Sequence, residues 1–213
     1  MTGARPIGLA PGAPTEAAGQ DAKKYATANP VVQRLLTRWM ARLVEVLGRV
    51  SGVVVDVGVG EGLALQRMLP ADQPVTGIEF RLDKVRTAVA GRPHLFGAVA
   101  DAGMLPLADS SVDLVTSIEL LEHLVAVEPA VAEMARVCRG RLVVSVPWEP
   151  WFRLGNLGRG KNVRRWGNDP EHVQAFTPER LRQALGAHFH EVVVVRAFPW
   201  LIAAASRPRS AGR

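Results

Sequence analysis

The sequence is poor in cysteine and tyrosine, with one of each in 213 residues. A single thiol, Cys138, excludes an intrachain disulfide and a zinc cluster built from thiolates. We expect Cys138 to be a small core residue near a strand, because free cysteines are commonly buried. A cytoplasmic setting is consistent with this scarcity of cysteine.

Long apolar runs and two familiar motifs are also missing. No window of about 18 uninterrupted apolar residues occurs, so the sequence predicts no membrane-spanning helix. The N-terminal segment lacks the apolar centre of a secretory signal, and its Pro, Gly and Ala content predicts a disordered leader over residues 1–22. No Gly-Lys-Ser or Gly-Lys-Thr occurs, which excludes the phosphate-cradling loop of nucleoside triphosphatases.

Positive charge is in excess. The formal net charge is +6, and 22 of the 26 basic residues are arginine. This balance suits an anionic substrate, a nucleic acid or a membrane surface, and it does not choose among them.

Apolar patterns along the chain alternate between short continuous runs and helical spacing. The runs predict strands at 52–60, 74–80, within 94–103, and at 111–120, 140–147, 190–199 and 200–207. The helical patterns lie at 29–50, 61–69, 81–91, 128–139 and 177–187, the last one capped by Thr177 with Pro178 at its first position. This alternation is typical of an α/β domain with a parallel, doubly wound sheet, here spanning 23–206 before a tail at 207–213.

The stretch "DVGVGEG", from Asp56 to Gly62, is a turn between a buried strand and a helix. Dinucleotide folds use Gly-x-Gly-x-x-Gly, whereas the third glycine here comes one residue early. Glu79 ends the second strand, where a carboxylate can accept both ribose hydroxyls of a nucleoside, and Phe80 can lie on the adenine. Asp101 ends the third strand, where it can receive the exocyclic amine of adenine. A tight turn without a ligand and solvated loop acids are the structural alternatives.

These residues lie in four stretches with a family resemblance: "VVDVGVGEG", "GIEF", "VADAGMLPLADSSVDLVTSIELLEHL" and "EMARVCRGRLVVSVP". Over residues 50–146 the chain resembles the class I S-adenosylmethionine-dependent methyltransferases, with some similarity to the O-methyltransferases of ubiquinone synthesis. The resemblance implies a Rossmann-like, doubly wound, seven-stranded sheet whose last strand is antiparallel, with helices on both faces. It also implies methyl transfer from S-adenosylmethionine.

The same resemblance implies a set of cofactor-binding residues. Three glycines of the turn would pass the methionine moiety, Glu79 would hold the ribose, and Asp101 with Ala102 would meet the adenine. Tyr25, just before the first helix, would close over the cofactor as a lid, with a simple surface contact as the alternative. The full predicted set is Tyr25, Asp56, Gly58, Gly60, Gly62, Glu79, Phe80, Asp101, Ala102 and Glu119.

The stretch "SIELLEHL" supplies candidate catalytic and metal-binding groups. If a helix begins by Glu119, then Glu122 and His123 share its face, and the later His172 can join them. Two carboxylates and two imidazoles suit a divalent ion such as Mg²⁺ or Mn²⁺. This spacing is similar to that of the ubiquinone-synthesis O-methyltransferases and of the small-RNA terminal 2′-O-methyltransferases. A general base without a metal, at His123 or His172, and a purely structural role are the alternatives.

The segment 147–176 is the most distinctive part of the chain. It contains three of the five tryptophans among several cations: Trp148, Trp151, Trp166, Arg153, Arg159, Lys161, Arg164 and Arg165. Such residues over the active site suit an anionic aromatic or lipid-like acceptor, single-stranded RNA, or an anionic membrane surface. Tryptophans filling a small subcore beside solvated arginines are the structural alternative.

The sequence as a whole favours methyl transfer to a small-molecule acceptor, most simply at an oxygen. An RNA 2′-O-methyltransferase is the second hypothesis, and the absence of a long basic stripe disfavours a nucleic-acid partner. Peripheral membrane contact stays open, and the oligomeric state is not predicted. The remaining hypotheses are a non-catalytic binding module, which would not bind the cofactor, and a nicotinamide-dependent oxidoreductase, which the early third glycine disfavours.

Overall fold

A seven-stranded sheet organises the residues that the computed structural model describes, 25–158 and 172–209. In chain order the strands are β1 (Val54–Val57), β2 (Val75–Glu79), β3 (Leu95–Val99), β4 (Val112–Ile118), β5 (Cys138–Pro147), β6 (Phe189–Ala197) and β7 (Trp200–Pro208). Their spatial order is β3-β2-β1-β4-β5-β7-β6. The first five strands pair in parallel, and β7 lies antiparallel between β5 and β6. The predicted doubly wound sheet with an antiparallel last strand is confirmed.

Helices connect the strands, and all of them except the one at Trp151–Gly158 lie close to positions that the sequence predicts. They are α1 (Pro30–Leu47), α2 (Leu63–Met68), α3 (Leu82–Gly91), α4 (Val127–Val137), α5 (Trp151–Gly158) and α6 (Pro178–Gly186). The Asn29 side chain caps α1 by accepting from the amides of Val31 and Val32. Thr177 caps α6 by accepting from the amide of Arg180, as predicted. Each cap satisfies amides that have no partner inside their own helix.

Two clusters of buried apolar side chains make up the core. One contains the buried face of α1, where Trp39 is fully buried and stacks on Trp200 of β7 with ring centroids 4.6 Å apart. The other contains α4 and α6, with Phe176 and Cys138 buried in it. The expected core position of Cys138 is confirmed, and burial raises the pKa of its thiol to about 11.

The order of the strands reverses direction between β1 and β4, because the chain runs outward from β1 to β3 and then returns to the other side of β1. In open α/β sheets, ligands bind outside the carboxyl ends of the strands at such a point. The ends of β1, β2 and β4 are therefore the part of the fold to search for a site.

Two predictions of local structure are wrong. No helix begins by Glu119, because this residue has a left-handed φ of 57° and only a 3₁₀ turn, Leu121–His123, follows. Helix α2 begins at Leu63 rather than Glu61, because Gly62 is still left-handed at φ 76°.

The predicted leader and the cations at 159–165 lie outside the described residues. None of the described helices combines the length and apolar character needed to cross a membrane.

Candidate cofactor and catalytic site

The three glycines after β1 all have left-handed backbone conformations. Gly58, Gly60 and Gly62 have φ values of 80°, 55° and 76°, which residues other than glycine rarely adopt. A Cβ atom on Gly58 would lie 2.9 Å from side-chain atoms of Leu120, and one on Gly62 would lie 3.2 Å from Cβ of Ala88. Gly58 therefore lets the turn after β1 pack against the turn after β4, and Gly62 lets α2 approach α3.

Glu79 joins the glycine turn to the end of β2. Its Oε2 accepts from the Gly60 amide at 3.2 Å, and its Oε1 accepts from the Arg81 amide at 3.1 Å. The side chain is only partly buried, so a ligand can reach it. The predicted ribose-binding carboxylate thus lies against the backbone of the predicted methionine-binding turn.

Asp56 on β1 is a buried carboxyl beside this turn, with 3% of its surface exposed. Burial raises the pKa of Asp56 to about 7; a hydrogen bond from Thr116 opposes the rise, and the charge of Glu79 adds to it. Burial disfavours the ionised form because it removes water from the charge. A cation close to Asp56 would favour its ionised form and lower this pKa.

The residues predicted to meet the adenine follow β2 and β3, which pair side by side with Glu79 opposite Val99. Asp101 is exposed and accepts from the Gly103 amide at 2.8 Å through Oδ1, so the carboxylate is held in a tight turn. Ala102 is partly buried, whereas Phe80 is 72% exposed. An exposed phenylalanine at this edge suits stacking on a ligand ring.

Tyr25 lies against the helix that follows the glycine turn. The guanidinium of Arg67 on α2 is 4.3 Å from the centre of the Tyr25 ring, a cation–π contact. Arg67 also donates to the carbonyl of Leu63 at 2.8 Å. The contact places Tyr25 next to the predicted cofactor site, and its role as a lid stays a prediction.

Glu119 is not a member of the cluster that could hold a metal ion among the described residues. Its left-handed backbone turns the chain, its amide donates to the carbonyl of Ser145 at 2.8 Å, and its Oε1 accepts from Trp200 Nε1 at 2.7 Å. The predicted common face of Glu119, Glu122 and His123 is therefore wrong. Through these two hydrogen bonds, Glu119 links the end of β4 to β5 and to the start of β7.

Glu122, His123 and His172 do come together. One potential ligand atom from each lies within 4.8 Å of the others. The two imidazole rings have centroids 5.1 Å apart and are nearly perpendicular. Glu122 is buried, His172 is partly buried and His123 is exposed. The distant His172 thus lies beside the "LEH" turn, and the metal-binding and base roles of these residues stay predictions.

Backbone hydrogen bonds hold His172 at this place. The carbonyl of Glu122 accepts from the amides of Val173 at 2.9 Å and Gln174 at 3.1 Å. The Gln174 side chain donates to the carbonyl of Val125 at 3.0 Å. The segment after His172 is thus fixed to the turn that carries Glu122 and His123.

Two aromatic side chains line the other side of the site: Phe152, from the distinctive segment 147–176, and Trp200, which the sequence did not indicate as a site residue. The Phe152 ring on α5 lies 5.6 Å from the His172 ring and 6.0 Å from the Trp200 ring. Trp200 also stacks on Trp39, whose Nε1 donates to Ser145 Oγ at 2.8 Å. The one available signal was Trp200 itself, a large aromatic residue at the start of the strand "WLIAAASRP".

The comparisons with known proteins agree with this geometry. A family model described as a methyltransferase domain matches residues 55–144. The demethylmenaquinone methyltransferase of Renibacterium salmoninarum is 34% identical over 135 residues, which cover 62% of this chain and 57% of that protein. That of Roseiflexus castenholzii is 30% identical over 179 residues, covering 76% of this chain and 74% of the relative. The chain thus spans less than two thirds of the first relative's length.

A solved structure has the same fold. An S-adenosylmethionine-dependent methyltransferase of Thermotoga maritima superposes with a TM-score of 0.64, covering 83% of this chain and 91% of the other at 20% identity. Identity this low supports the fold alone, and the sequence relatives carry the family assignment. The chain belongs to the S-adenosylmethionine-dependent methyltransferases and has their class I fold.

Proposed function

We propose that the protein transfers a methyl group from S-adenosylmethionine to a small aromatic, lipid-like acceptor of the quinone class. One observation carries the proposal. The glycine turn follows β1 and bonds to Glu79 at the end of β2, and the turn with Glu122 and His123, which His172 joins, follows β4. Since β2, β1 and β4 lie side by side, a cofactor site and a proton-accepting site would be neighbours at one edge of the sheet.

The residues at this edge fit the cofactor. S-adenosylmethionine carries a sulfonium and an ammonium group, and the carboxylate of Glu79 would supply negative charge beside the turn. Asp56, whose pKa burial raises to about 7, would ionise more readily beside a bound cation. Glu79 would accept from the ribose hydroxyls, Asp101 from the adenine amine, and the amides of the glycine turn would face the methionine moiety. When bound, the cofactor supplies a methyl group on a good leaving group, so the protein mainly has to orient the acceptor.

His172 is the proposed general base. Its ring is partly buried against Phe152 and lies beside His123 and the buried carboxylate of Glu122. It would take the proton of an acceptor hydroxyl while the methyl passes to the acceptor and S-adenosylhomocysteine leaves. Loss of this proton would leave a phenolate, which has two nucleophilic atoms. One is the oxygen, the acceptor atom that the sequence favours, and the other is the adjacent ring carbon.

Two observations support a lipid-like aromatic acceptor. Phe152 and Trp200 give the site an aromatic side next to His172. Two relatives are named demethylmenaquinone methyltransferases, and that name describes a quinone with a lipid tail. An aromatic wall favours a planar ring through offset or edge contacts.

Turnover of a reduced, short-tailed demethylmenaquinone, followed by mass spectrometry, tests the proposal. We expect a product heavier by one methyl group, with S-adenosylhomocysteine formed in equal amount. His172→Ala should lower kcat by about 10²-fold or more and leave the affinity for S-adenosylhomocysteine unchanged. His190→Ala, an exposed histidine on β6, is the matched control and should retain activity. Methylation of a short RNA but not of the quinol would contradict the proposal.

The same cluster also fits a divalent cation, which we propose as a second ligand of the site. Two imidazoles and one carboxylate would hold it, and this donor set suits Mn²⁺ better than Mg²⁺, which prefers oxygen ligands. The predicted fourth ligand, Glu119, bonds to Trp200 instead. Because the lone pair of His172 would then bind the cation, His172 could not also take the proton. The cation would instead polarise an acceptor oxygen and lower the pKa of its hydroxyl group.

Paramagnetic resonance of added Mn²⁺, without an acceptor, tests this second proposal separately from activity. We expect one bound ion per chain, with its affinity lowered at least tenfold by Glu122→Gln and not by His190→Ala. Equal affinity in wild type and Glu122→Gln would remove the cation from the site. His172 would then act as a general base without a metal ion.

A further inference from the structure

An exposed apolar surface lies on the outer side of α5 and beside the turn between β6 and β7. We define it by Trp151, Leu154 and Phe198, whose exposed fractions are 43%, 52% and 51%. The Trp151 and Phe198 rings are 6.1 Å apart, and each also contacts the Trp148 ring, at 6.2 and 6.4 Å. Single exposed apolar residues are ordinary, but a cluster of large ones marks an interaction site.

Helix α5 connects this surface to the catalytic cluster. Trp151 and Leu154 are three residues apart and share one side of the helix. Phe152 instead points at the rings of His172 and Trp200. One short helix therefore carries both the exposed apolar surface and part of the proposed acceptor site.

Two arginines lie beside this surface. The guanidinium of the exposed Arg196 lies 5.2 Å from the centre of the Trp148 ring, and Arg153 precedes Leu154 on α5. The whole chain has a formal net charge of +6. Tryptophan rings beside arginines suit the boundary between lipid tails and anionic headgroups.

We propose that the α5 surface docks the protein on an anionic phospholipid bilayer. Trp151, Leu154 and Phe198 enter the boundary of the lipid tails, and the arginines contact the headgroups. The purpose of the contact, delivery of a lipid-like acceptor to the site behind Phe152, rests on the proposed function. The proposed contact is peripheral, because it is made by side chains on the surface of α5 and of the turn between β6 and β7.

Sedimentation with vesicles tests the proposal, using the full chain and vesicles of phosphatidylcholine with or without phosphatidylglycerol. We expect binding to the anionic vesicles, weakened at least tenfold by Phe198→Ala with Trp151→Ala, and weakened by salt. Phe96→Ala is the matched control, because Phe96 is 63% exposed on β3 at the opposite edge of the sheet. An equal loss in the control, or equal binding to uncharged vesicles, would overturn the proposal.

A fluorescent label gives a positive signal that does not depend on the loss of a side chain. Leu154→Cys carrying an environment-sensitive dye should brighten and shift to the blue on anionic vesicles, whereas Phe96→Cys should not. The only native cysteine, Cys138, is buried. No change at Leu154, or a dimer of the free protein that Phe198→Ala dissociates, would instead assign the surface to another role.

Catalysis is measured separately on a water-soluble, tail-less acceptor. Vesicle binding without turnover would support the docking proposal and contradict the proposed function. Turnover without vesicle binding would remove the docking proposal alone.

Discussion

At the scale of single residues, Asp56 links the site to pH. Its pKa is about 7 in the folded chain and near 3.8 when unfolded, so the folded form keeps a proton that the unfolded form loses. The free energy of unfolding should therefore fall as pH rises from about 4 to about 7, by up to about 1.4 kcal/mol per pH unit. Asp56→Asn should remove this decline, measured by urea unfolding at a series of pH values.

Asp113 is the matched control for that measurement. Its hydrogen bond from Arg139 lowers its pKa to about 2, so the stabilisation it gives is present above pH 4 and lost as pH falls toward 2. Asp113→Asn should change only this acid range. A wild-type slope in Asp56→Asn between pH 5 and 7 would show that Asp56 is ionised in the folded protein.

Glu79 carries the second prediction at this scale. Removing a carboxylate that accepts from both ribose hydroxyls should weaken binding of S-adenosylhomocysteine by about 1–3 kcal/mol. Calorimetric titration of Glu79→Ala measures the loss. Asp83→Ala removes the same charge from the same segment, where Asp83 pairs only with Arg81 at the surface, and should change little. Similar losses in both variants would mean that Glu79 acts only through its charge.

At the scale of elements, Gly62 sets how closely α2 approaches α3. Gly62→Ala should destabilise the fold by about 1–2 kcal/mol for the left-handed backbone and by about 1 kcal/mol more for crowding against Ala88. It should also weaken binding of S-adenosylhomocysteine. Introducing Gly62→Ala into Ala88→Gly, and comparing it with Ala88→Gly alone, keeps the left-handed backbone cost but removes the Cβ that lies 3.2 Å away, so the loss should be smaller. Equal losses in both backgrounds would exclude crowding.

The elements also show what the sequence could predict and what it could not. The glycine turn, the capped helix α6 and the strand-end acids depend on local patterns, and each lies close to its predicted place. The helix expected at Glu119 does not form, because a contact with Trp200, distant in sequence, fixes that side chain while its backbone turns left-handed. Helical spacing cannot report such a constraint. The pairing of Phe152 with His172 and Trp200 likewise depends on packing between distant segments.

At the scale of the whole molecule, topology brings the site together. Strand order was predictable because alternating strands and helices allow few arrangements, and the resemblance to a known family fixed the antiparallel last strand. The proposed acceptor site was not predictable, because the residues that we assign to it come from α5, β7 and the segment at 172–176. Their mutual placement depends on tertiary contacts, such as the bonds from Val173 and Gln174 to the carbonyl of Glu122.

One measurement tests the central claim most directly: calorimetric titration of the purified protein with S-adenosylhomocysteine, with NADH as the comparison. A glycine turn joined to Glu79 should give one site per chain for S-adenosylhomocysteine, weakened roughly tenfold to a hundredfold in Glu79→Ala, and no heat with NADH. Binding of NADH without binding of S-adenosylhomocysteine would contradict the account, because the turn would then hold a dinucleotide instead of a sulfonium cofactor.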